Sequence, residues 1–114
     1  MQYLLLIYGE PSTAEPTEAE WNATMTEYNA YTDWLREKGQ FVGGEALQPA
    51  TDATTVSVRD GRRIVTDGPF AETKEQLGGF YQIEAPDLDA AIEAAARIPG
   101  ARNGKIEVRP IIPT

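Results

Sequence analysis

The feature that most constrains this fold is the uninterrupted apolar run YLLLIY at residues 3–8, which is followed at once by Gly9, Glu10 and Pro11. A run of this length bounded by turn residues is typical of a β-strand that is covered on both faces. Helices of the same chain can cover one face of the sheet. We therefore expect a second subunit to cover the other face, since large uncovered apolar sheet faces are usually interaction surfaces.

Two helices are predicted. Thr17 and Glu20 form a capping box, so a first helix is expected over residues 18–38, where Gly39 ends it. Its apolar stripe is Trp21, Met25, Tyr28, Thr32 and Leu35, which Tyr31 and Trp34 widen. Asp87 is expected to cap a second helix, which Pro99-Gly100 ends, with the stripe Leu88, Ala91, Ile92, Ala95 and Ile98.

The remaining elements are predicted to be strands. Residues 40–47 form a strand with a bend at its glycines, and residues 54–66 form a hairpin that turns at Asp60-Gly61. Residues 80–84 and 104–112 complete the set. The order predicts an α+β fold, a ferredoxin-like βαββαβ frame with an inserted β-hairpin, in which helices lie on one side of the sheet. We expect residues 1–114 to form one domain.

Charge and composition exclude several classes of function. Eighteen acidic and ten basic residues give a net charge of -8, which disfavours binding to nucleic acid or to an anionic membrane. There is no cysteine and no histidine, so thiol chemistry and the commonest general base are excluded. The apolar run at residues 3–8 is far shorter than the ~20 residues of a membrane span and has no basic leader, so a cytoplasmic location is expected.

The segment TDGPFAETKEQLGGF at residues 66–80 interrupts the strand pattern and carries the strongest indication of a site. Charged loops between rigid strands are common places for binding and catalysis. In that interpretation Asp67 is a carboxylate over a pocket, with Glu72, Lys74 and Glu75 as companions. In the alternative, Asp67 only caps a turn, Phe70 fills the core, and the charged residues lie on a solvated surface.

Four further side chains are candidates for ligand binding. The phenol of Tyr28, with Tyr8 or Tyr81, could donate a hydrogen bond to a ligand or to Asp67, although Tyr28 also suits the core. Arg109 could hold an anion, or pair with Glu107 or Glu45. The carboxylates of the segment match no metal-binding loop, so neither a metal nor another cofactor is predicted.

Residues 67–79 resemble the DGPF signature of the YCII-related family, and blocks at residues 3–8, 44–49 and 106–110 resemble the family as well. The resemblance implies a ferredoxin-like fold that pairs into a dimeric α+β barrel, with a pocket near Asp67. It also implies a genomic neighbourhood that often includes sigma factors of the extracytoplasmic-function type. Broader members carry a histidine in the first helix that is proposed to form a dyad with the aspartate. The matching position here is Tyr28.

Three functions are therefore open. The first is a dimeric module that binds a small molecule near Asp67, which the absence of histidine and cysteine favours. The second is an isomerase, lyase or hydrolase in which a buried Asp67 acts as general base without a histidine partner. The third is a purely structural role in which the signature forms a contact between subunits. The binding module is the preferred interpretation.

Overall fold

A computed structural model describes residues 1–11 and 14–114 of the chain. It is a mixed α+β structure with two α-helices, six strands and two short 3₁₀ segments. In chain order these are β1 (Gln2–Gly9), α1 (Glu18–Glu37), β2 (Phe41–Ala46), a 3₁₀ segment (Ala50–Asp52), β3 (Thr54–Arg59), β4 (Arg62–Asp67), β5 (Gln76–Glu84), α2 (Leu88–Ala96), a second 3₁₀ segment (Pro99–Arg102) and β6 (Lys105–Pro110).

The main sheet has four strands in the order β2-β5-β1-β6, and every neighbouring pair is antiparallel. This order is consistent with the ferredoxin-like arrangement predicted from the sequence. The last strand is shorter than predicted, while β5 begins at Gln76, four positions before the predicted start. Its extra residues pair with the end of β1, where Tyr8 lies opposite Leu77. The segment between Asp67 and β5 is therefore shorter than the sequence pattern suggested, and it leads directly into residues that pair with β1.

The inserted hairpin forms a separate two-stranded sheet of β3 and β4. Asp60 and Gly61 have φ angles of 51° and 74°, the positive values that a two-residue hairpin turn requires, so the predicted turn is confirmed. Directly opposed residues of an antiparallel pair share a face, so Val56 and Val65 lie together on one side of the hairpin. Both side chains are exposed.

Both predicted helix starts are confirmed. The Thr17 hydroxyl accepts a hydrogen bond from the Glu20 backbone N–H at 3.1 Å, and the Glu20 carboxylate accepts one from the Thr17 N–H at 3.2 Å. These bonds lower the pKa of Glu20. Asp87 accepts from the Ala90 N–H at 2.8 Å and so caps α2. Within the described residues, no helix combines the length and the apolar character needed to cross a membrane.

The core lies between the two helices and one face of the main sheet. Leu5 of β1 and Ile83 of β5 have no exposed surface, and neither does Leu35 of α1. Burying a side chain of this size contributes about 1.5–3 kcal/mol. The other fully or almost fully buried apolar residues are Tyr3, Tyr31, Ala85, Ala91, Ala94, Ala95 and Ile98.

The apolar stripe predicted for α1 is only partly correct. Trp21 and Met25 at its N-terminal end are exposed, whereas Tyr31, which was expected only to widen the stripe, is buried. The buried face of α1 therefore passes through Tyr31 and Leu35. Ile92 of α2, also predicted for the core, is exposed. Helical spacing identifies a stripe, but the position of the sheet decides which part of it is covered.

On the opposite face of the main sheet, the described residues leave the apolar side chains partly exposed. Leu4 and Leu6 alternate with the buried Tyr3 and Leu5, and Leu6 lies opposite Phe80 in the neighbouring strand. These side chains are only half-buried. The subunit is flat, with extents of 47 × 43 × 19 Å and a radius of gyration of 16.1 Å. A compact domain of this length would have about 13 Å.

Tyr31 should make a measurable contribution to stability. Its hydroxyl donates to the Ala94 carbonyl at 2.7 Å, and its ring packs edge-on against Tyr81. Tyr31→Phe should lower the unfolding free energy by about 1 kcal/mol, the net value of one buried hydrogen bond. Urea denaturation of both proteins at neutral pH measures this difference, and equal midpoints and slopes would contradict it.

The same pair should differ in its pH dependence. Burial raises the pKa of Tyr31 above its usual value of 10.0. When folding raises the pKa of a phenol, this shift stabilises the fold at pH values below the unfolded-state pKa. The stabilisation is lost as the pH rises above that pKa. The unfolding free energy of the native protein should therefore fall more steeply above pH ~10 than that of Tyr31→Phe. Parallel curves from urea denaturation over this range would count against a buried neutral phenol.

Candidate functional site

The signature segment begins in a sharp bend that the neighbouring loop holds in place. Gly68 directly follows β4 and has a φ of 93°, a value that other residues rarely adopt. Its N–H donates to the Ala53 carbonyl at 2.7 Å, and its own carbonyl accepts from the Thr55 hydroxyl at 2.7 Å. The bend is thereby fixed to the residues at the start of β3.

A groove of about 510 Å³ lies between this bend, the end of β1 and the loop that precedes β3. Most of its wall is apolar. The lining residues are Tyr8, Leu47, Gln48, Pro49, Ala50, Asp52, Ala53, Thr55, Pro69, Phe70, Ala71, Thr73, Gln76 and Leu77. Three separate parts of the chain therefore meet at one concave surface.

The alternative in which the segment is only a turn expected Phe70 to fill the core, but Phe70 does not do so. It is 90 % exposed, the most exposed of the large apolar side chains described, and it lines the groove. The chain thus places an aromatic ring at the edge of a concave surface instead of burying it.

Asp67 is the last residue of β4 and lies opposite Thr54. Its side chain is exposed, and the groove is lined by the residues that follow it, beginning at Pro69. The single chain therefore does not bury this carboxylate, although burial is the condition on which the general-base hypothesis depends. A catalytic role for Asp67 stays a prediction.

The charged companions of Asp67 are engaged elsewhere. Lys74 forms an ion pair with Glu10 at 3.3 Å, and Glu75 pairs with Lys105 of β6. Lys105 donates a hydrogen bond to the Glu75 carboxylate, and this bond together with the negative charge of Glu75 raises the pKa of Lys105. Glu72 is exposed. Lys74 was expected to interact with the acids of its own segment, but it pairs instead with Glu10, the residue that follows β1.

Of the three candidate tyrosines, only Tyr8 lines the groove. The Tyr81 hydroxyl is 3.1 Å from the Thr32 hydroxyl, and its ring packs against Tyr31 on the helical side of the sheet. Tyr28 is half-buried beside Gly100, and desolvation raises its pKa. Neither Tyr28 nor Tyr81 is among the groove residues, so the three phenols do not share one site.

Arg109 lies on β6 beside Glu107, with 3.8 Å between the charged groups. It opposes Leu4 across the sheet and is outside the groove. Pairing with Glu107 was one of the two structural alternatives for this residue. Among residues 1–11 and 14–114, no three carboxylates are grouped closely enough to hold a metal ion.

Sequence reasoning missed the loop wall of the groove. Leu47, Gln48 and Pro49 lie between β2 and the first 3₁₀ segment, and all three are exposed. The sequence predicted Leu47 to be the end of a strand, and the signal for a loop was Pro49, two positions further on. That signal does not show that the loop faces the residues after Asp67.

Comparison with known proteins gives the family. The YCII-related domain matches residues 1–114. An uncharacterized protein of Rhizobium meliloti (strain 1021) is 39 % identical over 114 residues, which covers 97 % of this chain and 92 % of that protein. The chain belongs to the YCII-related family. This agrees with the resemblance found in the signature and in the three other blocks.

The bend at Gly68 provides a test of how the site is built. Gly68→Ala places a side chain at positive φ, which should lower the unfolding free energy by about 1–2 kcal/mol. Gly78→Ala is the matched control, because an added methyl group there would lie 4.0 Å from the nearest atom, the Ile7 carbonyl oxygen. Urea denaturation should show a clear loss only for Gly68→Ala. Equal stabilities for the two variants would contradict a strained bend.

Proposed function

We propose that this protein is a homodimeric member of the DGPF subfamily that binds a small molecule in the groove beside Asp67. The observation that carries the proposal is the placement of Phe70, which lines the groove and is 90 % exposed. Covering an exposed aromatic ring that already lines a concave surface removes apolar area from water without rearranging the fold. A bound ligand with an apolar body would do this.

The chemistry of the groove supports the same proposal. Binding sites for small molecules are typically about 300–1,000 Å³ in volume and combine an apolar lining with a few polar groups that orient the ligand. Here the groove measures about 510 Å³. Its uncharged hydrogen-bonding side chains are those of Tyr8, Gln48, Thr55, Thr73 and Gln76. The hydroxyls of Thr55 and Thr73 already donate to backbone carbonyls and can accept from a ligand, whereas Tyr8 and Gln48 can both donate and accept.

Binding without chemistry is preferred over the enzymatic alternative. A general base needs a pKa near the working pH, which a carboxylate usually acquires through burial. Asp67 is exposed, and the family histidine position is Tyr28, which lies away from the groove. A regulatory context near sigma factors rests on the family resemblance alone.

The homodimer is supported by the uncovered face of the main sheet. Leu4, Leu6 and Phe80 form its apolar centre, and Glu107 and Arg109 lie at the β6 edge. Two such faces can pack together across a two-fold axis, because the same patch then contacts itself. This pairing would produce the dimeric α+β barrel and would make the flat subunit part of a thicker particle.

Narrowing the groove should weaken binding. Ala71→Trp places a large ring in the groove wall, whereas Ala23→Trp adds the same ring on the exposed surface of α1. With 2-naphthylmethanol as the probe in isothermal titration calorimetry, Ala71→Trp should raise the Kd by about tenfold, equivalent to ~1.4 kcal/mol. Ala23→Trp should bind as the native protein does. Equal affinities of the two variants for the probe would show that the probe binds outside the groove.

The dimer has its own test. Phe80→Glu places a carboxylate in the centre of the uncovered sheet face, opposite Leu6. A buried unpaired charge is strongly destabilising, so this variant should be monomeric at micromolar concentration. Ile112→Glu changes an exposed apolar residue after β6 and should stay dimeric. Size-exclusion chromatography with light scattering reads the mass directly. A monomeric native protein would refute the pairing.

A further inference from the structure

We infer that the groove selects a cationic ligand, an amine carried on an apolar or aromatic body, over a neutral or anionic ligand of the same shape. This inference rests on the proposed binding function and specifies the class of ligand. It follows from the distribution of charge around the groove, which was not predicted from the sequence.

The lining of the groove holds a carboxylate and no cation. Of its fourteen residues the one with a charged side chain is Asp52, at the end of the first 3₁₀ segment. Asp52 is exposed and therefore available to a ligand. An anionic ligand would meet repulsion from this group, whereas an ammonium group could form an ion pair with it.

The two lysines next to groove residues do not reverse this polarity: Lys74 follows Thr73 in the chain, and Lys105 lies opposite Tyr8 in the sheet. Lys74 is paired with Glu10, and Lys105 is paired with Glu75. Each pair is neutral overall. A phosphate or carboxylate ligand would have to compete with a carboxylate of the protein for either lysine, so these lysines are poorly suited to anion recognition.

The signature adds further negative charge at the rim. Glu72 lies between Ala71 and Thr73, both of which line the groove, and it is about 3.8 Å along the backbone from each. Asp67 precedes Pro69 by two positions. Both carboxylates are exposed. The field at the mouth of the groove is therefore negative, which attracts cations and repels anions.

Two aromatic rings strengthen the preference for a cation. Tyr8 and Phe70 both line the groove, and Phe70 presents most of its surface to solvent. The faces of aromatic rings attract ammonium groups but repel anions. Carboxylates at the rim and aromatic rings in the wall thus favour the same sign of charge, while the alanine, leucine and proline surfaces suit an apolar body.

The test uses three probes of one shape: 2-naphthylmethylamine, 2-naphthylmethanol and 2-naphthoate. Calorimetry at about 10 mM ionic strength, where the Debye length is ~30 Å, should rank them in that order of affinity. A single ion pair in water accounts for roughly fivefold between the amine and the alcohol. The advantage of the amine should shrink when the salt concentration is raised to about 0.3 M.

Two matched variants separate the local carboxylate from the net charge of the protein. Asp52→Asn and Asp89→Asn each remove one negative charge, but Asp89 lies on α2, outside the groove. Asp52→Asn should reduce the ratio of the amine affinity to the alcohol affinity by about fivefold. Asp89→Asn should leave the ratio unchanged. An equal decrease of the amine-to-alcohol ratio in both variants would show that the net charge of the protein causes the preference, and this would overturn the inference.

The outcomes distinguish this inference from the proposed function. Suppose that 2-naphthylmethanol binds the native protein, and that Ala71→Trp weakens this binding as predicted. If 2-naphthoate then binds as tightly as 2-naphthylmethylamine, or more tightly, the charge preference is wrong but the groove is still a binding site. If none of the three probes binds, the proposed function fails and the inference fails with it.

Discussion

The burial of one face of the main sheet beneath the two helices is the interaction on which the rest of the structure depends. Leu5 and Ile83 lie under Leu35 with no surface left in contact with water. Because side chains alternate along a strand, placing these residues inward places Leu4, Leu6 and Phe80 on the opposite face. The same alternation that builds the core therefore leaves an apolar face uncovered.

The position of the groove follows from the insertion of the hairpin into this frame. The β3–β4 hairpin leaves the main sheet after β2 and returns to it at β5, so its two connections run side by side. Hydrogen bonds at Gly68 join those connections to each other. The end of β1 supplies Tyr8 as the third wall. A ligand bound there would contact the rigid sheet on one side and two loops on the other.

Local features were predictable because each depends on residues close together in the chain. The capping box at Thr17, the cap at Asp87 and the turn at Asp60-Gly61 were all found where expected. Features that join distant residues were not predictable. The pair between Glu75 and Lys105 and the burial of Tyr31 each require knowledge of which elements pack together. Spacing within one helix cannot supply that knowledge.

The sequence by itself determined the helices, the strands, their order, and the signature that identifies the family, because these depend on local periodicity and on turn chemistry. It also pointed to residues 67–75 as the region of the site. The tertiary structure decided which of those residues share a surface. It left Asp67 exposed, placed Phe70 at the edge of a groove, and paired Lys74 with Glu10 and Lys105 with Glu75. The physical reason is that concavity and charge pairing arise only when distant segments meet.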